Sequence, residues 1–444
     1  MSPKRSATKR SRPWSDGWRQ LRTARAAVAV LVGLLLAVIL LYVNLASSER
    51  KVENPLPHRY ATADSQFVRT MGSLLGPGFL PGNRVTTLLN GDQVFPAMLQ
   101  AIRSARRTIT FENYIYWSSQ VEQQFSQALA ERARAGVRVH LLLDWVGSDK
   151  KDRNSIEQMR KAGVEVVEYR PLRWYNLDRL NHRDHRKILV VDGRVGFTGG
   201  VGIADKWLGH AQDRDHWRDS HFQAEGPVVA QLQSVFMDDW FATRGTLLDG
   251  PGYFPDLDPV GPEWAQAFRS SPSGGSESVR LMYLLAIAAA ARSILIANAY
   301  FVPDRVTVAM LVEARRRGVE VEIIVPGPIL DAQVVRRASR ELWGPLLRSG
   351  VRIYEYQPTM YHTKVMVVDD LWVSVGSTNF DERSFRLNQE ANLNVLDPGF
   401  AEEQVRVFRE DRQRSKRITL EEWRRRPLWE RVEGWVAGVG RGQL

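Results

Sequence analysis

His185-Arg186-Lys187-Ile188-Leu189-Val190-Val191-Asp192 and His362-Thr363-Lys364-Val365-Met366-Val367-Val368-Asp369 are one pattern written twice: His-x-Lys, then Asp after four intervening residues. Three fixed residue types at that spacing match by chance at roughly one position in several thousand, so a double match is a signal. Ile188 to Val191 and Val365 to Val368 are short apolar runs rich in β-branched residues, as expected of strands buried on both faces. In a strand, residues i and i+2 point the same way, which places His185 with Lys187 and His362 with Lys364. Beyond each Asp, after six further residues, comes a small-residue turn: Gly199-Gly200-Val201-Gly202 in the first copy and Gly376-Ser377-Thr378-Asn379 in the second. Glycine lets backbone amides approach an anion closely, and Ser377 and Asn379 add side-chain donors, so Gly200, Ser377 and Asn379 are candidate substrate-binding positions. Paired imidazoles, paired ammonium groups and a nest of donors suit a phosphate diester.

The chain repeats beyond the motif. The first half reads as a strand at Arg84 to Leu89, a helix from Phe95 to Arg107 and a strand at Thr108 to Tyr116. The second reads as a strand at Val279 to Met282, a helix from Tyr283 to Arg292 and a strand at Ser293 to Tyr300. Each continues with a helix that stops at glycine (Gly136, Gly318) and another strand, and a further such glycine (Gly163, Gly350) precedes each His-x-Lys copy. This alternation predicts α/β architecture, with two duplicated sandwiches and mixed sheets.

A phosphodiester displacement needs one neutral imidazole to attack phosphorus and one protonated imidazole to deliver a proton to the leaving oxygen. Lys187 and Lys364 suit charge on the nonbridging oxygens. Asp192 and Asp369 are grouped with the catalytic set as motif members, although bracing the adjoining loops suits them better than touching substrate. Single histidines elsewhere, including His58, His140, His182, His210, His216 and His221, are read as structural. The carboxylates and histidines lack metal-ligand spacing. The Arg179, Arg183 and Arg186 cluster is either a solvated face or a head-group site.

These residues resemble the phospholipase D superfamily, whose mark is this duplicated motif with its trailing turn. The likeness runs from about Asn83 to about Asp397, and it is closer to bacterial cardiolipin synthases in four passages: Phe111-Glu112-Asn113-Tyr114-Ile115-Tyr116-Trp117, Tyr169-Arg170-Pro171-Leu172, Thr198-Gly199-Gly200 and Gly376 to Ser384. The resemblance implies a phosphatidyltransferase that passes a phosphatidyl group through phosphohistidine to phosphatidylglycerol, with no metal and no cofactor. It implies His185 as nucleophile and His362 as acid/base, with Glu390 and Asp219 orienting the histidines. One departure stands out, because the first turn ends in Gly202 where the family has Asn. A hydrolytic phospholipase D, a phosphodiesterase or nuclease of the same superfamily, and an inactive lipid-binding scaffold are the other readings.

Cysteine is absent, which excludes disulfides and thiolate nucleophiles. The net charge of +11 is concentrated in residues 1–25, where eight Lys or Arg face Asp16 alone. The remainder is near balance, so nucleic acid is not expected as a partner. Ala26 to Ser48 carries no charge, and its apolar part is long enough to span a membrane as a helix. A signal anchor is expected rather than a cleaved leader, with the N-terminus cytoplasmic and the catalytic halves outside. The expected organisation is a basic tail (1–25), the anchor (26–46), a connector (47–82), a first half (83–269), a linker (270–278), a second half (279–400) and a helical C-terminal tail (401–444). Phospholipids and the membrane are the expected partners, with no obligate protein partner. Tryptophans and basic residues in 171–177 and around Trp423, Trp429 and Trp435 are candidate interfacial contacts.

Overall fold

Both His-x-Lys copies open strands: β5 is Lys187–Val191 and β12 is Lys364–Val368. Their apolar residues are almost all buried, because each strand lies between two others with helices or a second layer against its faces. The computed structural model describes residues 25–39, 52–171, 182–270, 278–427, 429–431 and 434. The chain divides into two units, Met1–Arg50 and Lys51–Leu444.

In the larger unit the first half supplies β1 (Leu80–Leu89), β2 (Thr108–Asn113), β3 (Arg138–Asp144), β4 (Glu165–Tyr169), β5, β6 (Val195–Gly199) and β7 (Ser220–Glu225). The second supplies β8 (Glu263–Ser270), β9 (Ser293–Asn298), β10 (Glu320–Pro326), β11 (Arg352–Tyr356), β12, β13 (Trp372–Gly376), β14 (Glu390–Leu396) and β15 (Ser415–Ile418). They form one mixed sheet in the order β15-β11-β10-β9-β12-β13-β14-β8-β1-β7-β6-β5-β2-β3-β4. Strands β2, β3 and β4 run parallel, as do β9, β10 and β11, and the other pairs are antiparallel. The parallel pairs need helical crossovers. Gln120–Arg134 joins β2 to β3, capped by Ser119 accepting from the Glu122 amide, and Arg305–Arg316 joins β9 to β10, capped by Asp304 accepting from Thr307. Gly136 (φ 89°) and Gly318 (φ 93°) end them in the left-handed region that glycine enters without strain.

The expected boundary between the halves moves. Val279 to Met282 is helical, within Ser278–Ala289, because it opens a run that is buried almost all round, nine apolar residues and Arg280, rather than an alternating strand. The second counterpart of β1 is β8, which pairs with β14 from Trp264 opposite Leu396 to Ser270 opposite Glu390. The second half therefore begins at Glu263, ahead of the expected linker. It also extends past residue 400: the helix Pro398–Gln413 buries Phe400, Ala401 and Val405, and β15 adds an antiparallel edge to β11. Trp423 packs back on the domain, with Nε1 donating to the Arg340 carbonyl at 2.6 Å. Residues 172–181 and Trp435 lie outside the described residues.

What joins the halves is a shared core. Val85, Ile188, Val190 and Phe222 of the first half pack in one cluster with Val367, Val373, Leu393 and Phe400 of the second. Each such side chain contributes about 1.5–3 kcal/mol on full burial, so the two motif strands are held on a common foundation.

In the smaller unit, residues 25–39 are helical and all exposed. Among the described residues no helix is long and apolar enough to cross a membrane. The rest of the expected anchor, residues 40–46, lies outside the described residues.

Candidate active site

The segments leading into the two motifs cross to opposite halves. The His185 amide donates to the Gln389 carbonyl (2.9 Å) and the Gln389 amide to Arg183 (2.7 Å). Correspondingly, the His362 amide donates to Arg218 (2.8 Å) and the Arg218 amide to Met360 (2.9 Å). Each histidine thus lies beside the residue preceding the other half's carboxylate. His185 Nδ1 lies 3.0 and 3.1 Å from the two Glu390 oxygens, and His362 Nδ1 lies 2.6 Å from Asp219 Oδ2. All four side chains are buried, and Lys187 and Lys364 curl back to the carbonyls of His185 and His362.

The two carboxylates are held differently. Glu390 accepts from Ser377 Oγ (2.5 Å), Ser384 Oγ (2.7 Å) and Asn388 Nδ2 (3.3 Å) besides His185. Asp219 accepts from Trp207 Nε1 (2.9 Å) and the Ser220 amide (2.8 Å) besides His362. Burial works to raise Glu390, but the charges of His185 and Lys187 and the Ser377 bond hold it below the usual range. Asp219 is likewise held down by His362 and Lys364 against its burial. Burial pushes His185 down to about 4, with Glu390 opposing and Lys187 reinforcing, and burial with Lys364 lowers His362. Each Nδ1 contact fits an Nδ1–H donated to an ionised carboxylate, and burial disfavours a second proton on either ring. That tautomer leaves Nε2 unprotonated, as a nucleophile or base requires. Burial lowers Lys187 to about 7 and Lys364 to about 8. The halves are electrostatically one site, since Lys364 acts on both His185 and Lys187.

Other expected positions fall elsewhere. Asp192 accepts from the Arg106, Arg107 and Thr108 amides at 2.7–2.9 Å. Asp369 does the same for Ala291, Arg292 and Ser293. Both have positive φ (53° and 57°) in the turn at the far end of the motif strand, five residues from the lysine and so roughly 16 Å away at strand rise. In that position each ties the end of its motif strand to the start of a neighbouring strand. Ser377 faces Glu390, and the Gly200 amide donates to the Ser220 carbonyl (3.0 Å), so both serve the carboxylates' surroundings rather than an open pocket. Asn379 is buried with Oδ1 unpaired. Arg186 is fully buried on Asp239 (2.7 Å), which removes it from a head-group role, and Arg179 lies outside the described residues.

Gly202 has a physical reason. A Cβ there would sit 2.9 Å from Ile115 Cβ and 3.1 Å from the Trp207 ring. A Cβ on Gly200 would meet Asp219 Oδ1 at 2.2 Å. In the first half, then, small residues make room for a short carboxylate and an indole donor, where the second half uses a longer carboxylate and a serine. Trp207 lies outside every passage singled out from sequence, whereas Ser384 ends one of them. Tyr114, whose ring lies 5.0 Å from His185, sits in another.

Among the described residues, Glu112, Asp184 and Asp239 are the one group of acids close enough to share a cation. Arg186 already binds Asp239, while burial and mutual repulsion raise Glu112 well up and Asp184 to about 8. Protons held by these acids therefore relieve the charge at neutral pH.

Residues 98–240 and 283–412, one block in each half, match the family described as "Cardiolipin synthase, PLD-like domain". The chain is 36% identical over 362 residues to cardiolipin synthase 1 of Bacillus anthracis, covering 79% of this chain and 71% of that protein. The chain belongs to the phospholipase D-like cardiolipin synthase family. Cardiolipin synthase A of Pseudomonas putida is 37% identical over 357 residues, covering 80% of this chain and 74% of that one. Among solved structures, the phosphatidylserine synthase of Haemophilus influenzae superposes with a TM-score of 0.65 at 16% identity, covering 85% of this chain and all of its own. That likeness shows a shared fold, and the duplicated mixed-sheet architecture of this family member agrees with it.

Proposed function

We propose that this family member is a phosphatidyltransferase of cardiolipin synthase type, acting through phosphohistidine on phosphatidylglycerol. The observation that carries the mechanism is the crossed pairing of His185 with Glu390 and His362 with Asp219. Nε2 of His185 attacks the donor phosphorus, and the bond to the glycerol oxygen breaks as that oxygen takes a proton from Nε2 of His362. Glycerol leaves. The acceptor hydroxyl then returns a proton to His362, its oxygen attacks phosphorus, and the P–N bond breaks to release cardiolipin. The donor's anionic phosphodiester favours the imidazolium that burial disfavours, and Lys187 and Lys364 stabilise charge on its nonbridging oxygens. His185 is assigned as nucleophile on the family resemblance, and the Lys364 ammonium lies 3.0 and 3.2 Å from the two ring nitrogens of His362.

The same reading places the protein at a membrane. The helix at residues 25–39 exposes Val28, Leu31, Leu34, Leu35, Leu36 and Ile39, each 46–65% accessible, and such a surface needs an apolar surrounding. The basic residues before it favour a cytoplasmic N-terminus with the catalytic unit on the other side. Purified protein incubated with phosphatidylglycerol vesicles, without added metal, is expected to yield cardiolipin and free glycerol in equal amounts. Phosphatidic acid in place of cardiolipin would make the enzyme a hydrolase, and cleavage of DNA with the lipid unchanged would remove the lipid reading altogether.

A further inference from the structure

Asp411 is a buried carboxylate on the helix Pro398–Gln413, which carries the second half past residue 400. It binds the Arg218 guanidinium at two points, with Nε donating to Oδ1 (3.0 Å) and Nη2 to Oδ2 (2.9 Å). It also accepts from the Tyr361 hydroxyl at 3.0 Å. Arg218 immediately precedes Asp219, and Tyr361 immediately precedes His362. One carboxylate thus holds both segments whose next residues meet at 2.6 Å.

Arg218 carries the hold further. Its Nη1 donates to the Asp219 carbonyl (2.6 Å) and to Ser220 Oγ (3.1 Å), and its own carbonyl accepts the His362 amide. Tyr361 is fixed from another side by Tyr356, with ring centroids 4.8 Å apart. Arg218, Tyr361 and Asp411 are each 5% exposed or less, so a bond lost here is not replaced by bulk water. A guanidinium fork on a carboxylate sets orientation as well as distance.

The His185 side is built otherwise. Val235-Phe236-Met237-Asp238-Asp239 is the sequence counterpart of Val407-Phe408-Arg409-Glu410-Asp411, yet Asp239 binds Arg186 of its own half at 2.7 Å. Gln389 stands before Glu390 as Arg218 stands before Asp219, and its Nε2 donates to the Tyr169 hydroxyl at 2.6 Å. The ion pair that crosses between the halves therefore falls behind His362. In the proposed reaction His362 gives up a proton in one step and takes one in the next, so its contact with Asp219 has to survive two changes of charge.

We propose that Asp411 is a positioning residue for the acid/base histidine, acting through Arg218 and Tyr361 to hold Asp219 and His362 at hydrogen-bond distance. The proposal rests on the transferase reading for the role of His362 and makes the C-terminal helix a part of the active site.

The test reads His362 directly. In full-length protein labelled with carbon-13 at histidine Cε1, the His362 signal is identified by its loss in His362→Ala and followed against pH. Asp411→Asn keeps the side chain's shape but removes its charge, which leaves Arg218 uncompensated and loosens Asp219. Both effects disfavour the imidazolium, so the His362 midpoint is expected to fall by about one pH unit. Glycerol release from phosphatidylglycerol vesicles is expected to show kcat down about tenfold and KM changed by less than about twofold, the loss of one charge-assisted bond. Arg218→Gln/Asp411→Asn removes both charges and is expected to unfold at a higher temperature than Asp411→Asn, while its kcat and His362 midpoint stay down. An unchanged midpoint in Asp411→Asn, or wild-type kcat in the double variant, would reduce the pair to a structural support and overturn the proposal. If wild-type protein releases no glycerol, the transferase reading fails, and the His362 midpoint still decides whether Asp411 positions the ring.

Discussion

At the scale of residues, the two half-sites reach the same chemistry by different means. Ser377 and Glu390 in one half are replaced by Gly200 and Asp219 in the other, with the Trp207 indole donating to Asp219 at 2.9 Å. The missing Asn at position 202 was legible in the sequence as a lost donor, but its cause was not. Only the packed structure places Trp207 and Ile115 where that side chain would go. Trp207 is a positioning residue, acting on His362 through Asp219. Trp207→Phe keeps an aromatic ring and removes the donor, and is expected to lower kcat about tenfold with little change in KM, the worth of one hydrogen bond to a charged group. It should also shift the acid limb of the kcat profile upward, because a less stabilised carboxylate is the stronger base; an unchanged profile would make Trp207 merely structural. The lysines give a second pH signature. Their lowered values of about 7 and 8 mean that the charged forms are lost as pH rises through that window. kcat/KM is accordingly expected to decline from about pH 7 upward, and a flat profile to pH 10 would contradict the assigned burial of these ammonium groups.

At the scale of elements, the strands were the most readable part. Continuous apolar runs identified β5 and β12, and the glycines at 136 and 318 do end the crossover helices. The misread element was Val279 to Met282, four apolar or basic residues whose strand pattern is overridden by their place in a longer helix buried on all sides. With that error went the true counterpart of β1, since Glu263–Ser270 pairs with β14 through a register that no local pattern announces. The motif aspartates belong here, as ties between the end of a catalytic strand and the start of its neighbour. Asp192→Ala strands three amides of that neighbour's start, and is expected to cost about 2–4 kcal/mol in urea unfolding. The folded variant is expected to keep most of its turnover at low temperature. A thousandfold loss of turnover with unchanged stability would return Asp192 to the catalytic set.

At the scale of the whole molecule, neither half is complete. The duplicated motif announced two half-sites, and near-balanced charge outside the basic tail turned the reading away from nucleic acid. What the sequence could not show is that each histidine takes its orienting carboxylate from the opposite half, because Glu390 lies 205 residues from His185 and Asp219 lies 143 from His362. The shared core of Ile188, Val190, Val367 and Val373 makes that exchange possible by fixing the motif strands together. Two consequences separate one shared site from two independent ones: both histidines are indispensable, and no single-histidine variant keeps a share of the rate. The most direct test is cardiolipin formation from phosphatidylglycerol vesicles by His185→Ala and His362→Ala, with folding checked by thermal unfolding. Each variant is expected to fall by roughly a thousandfold, the scale of a lost nucleophile or general acid, whereas about half the wild-type rate in either one would contradict a site built from both halves.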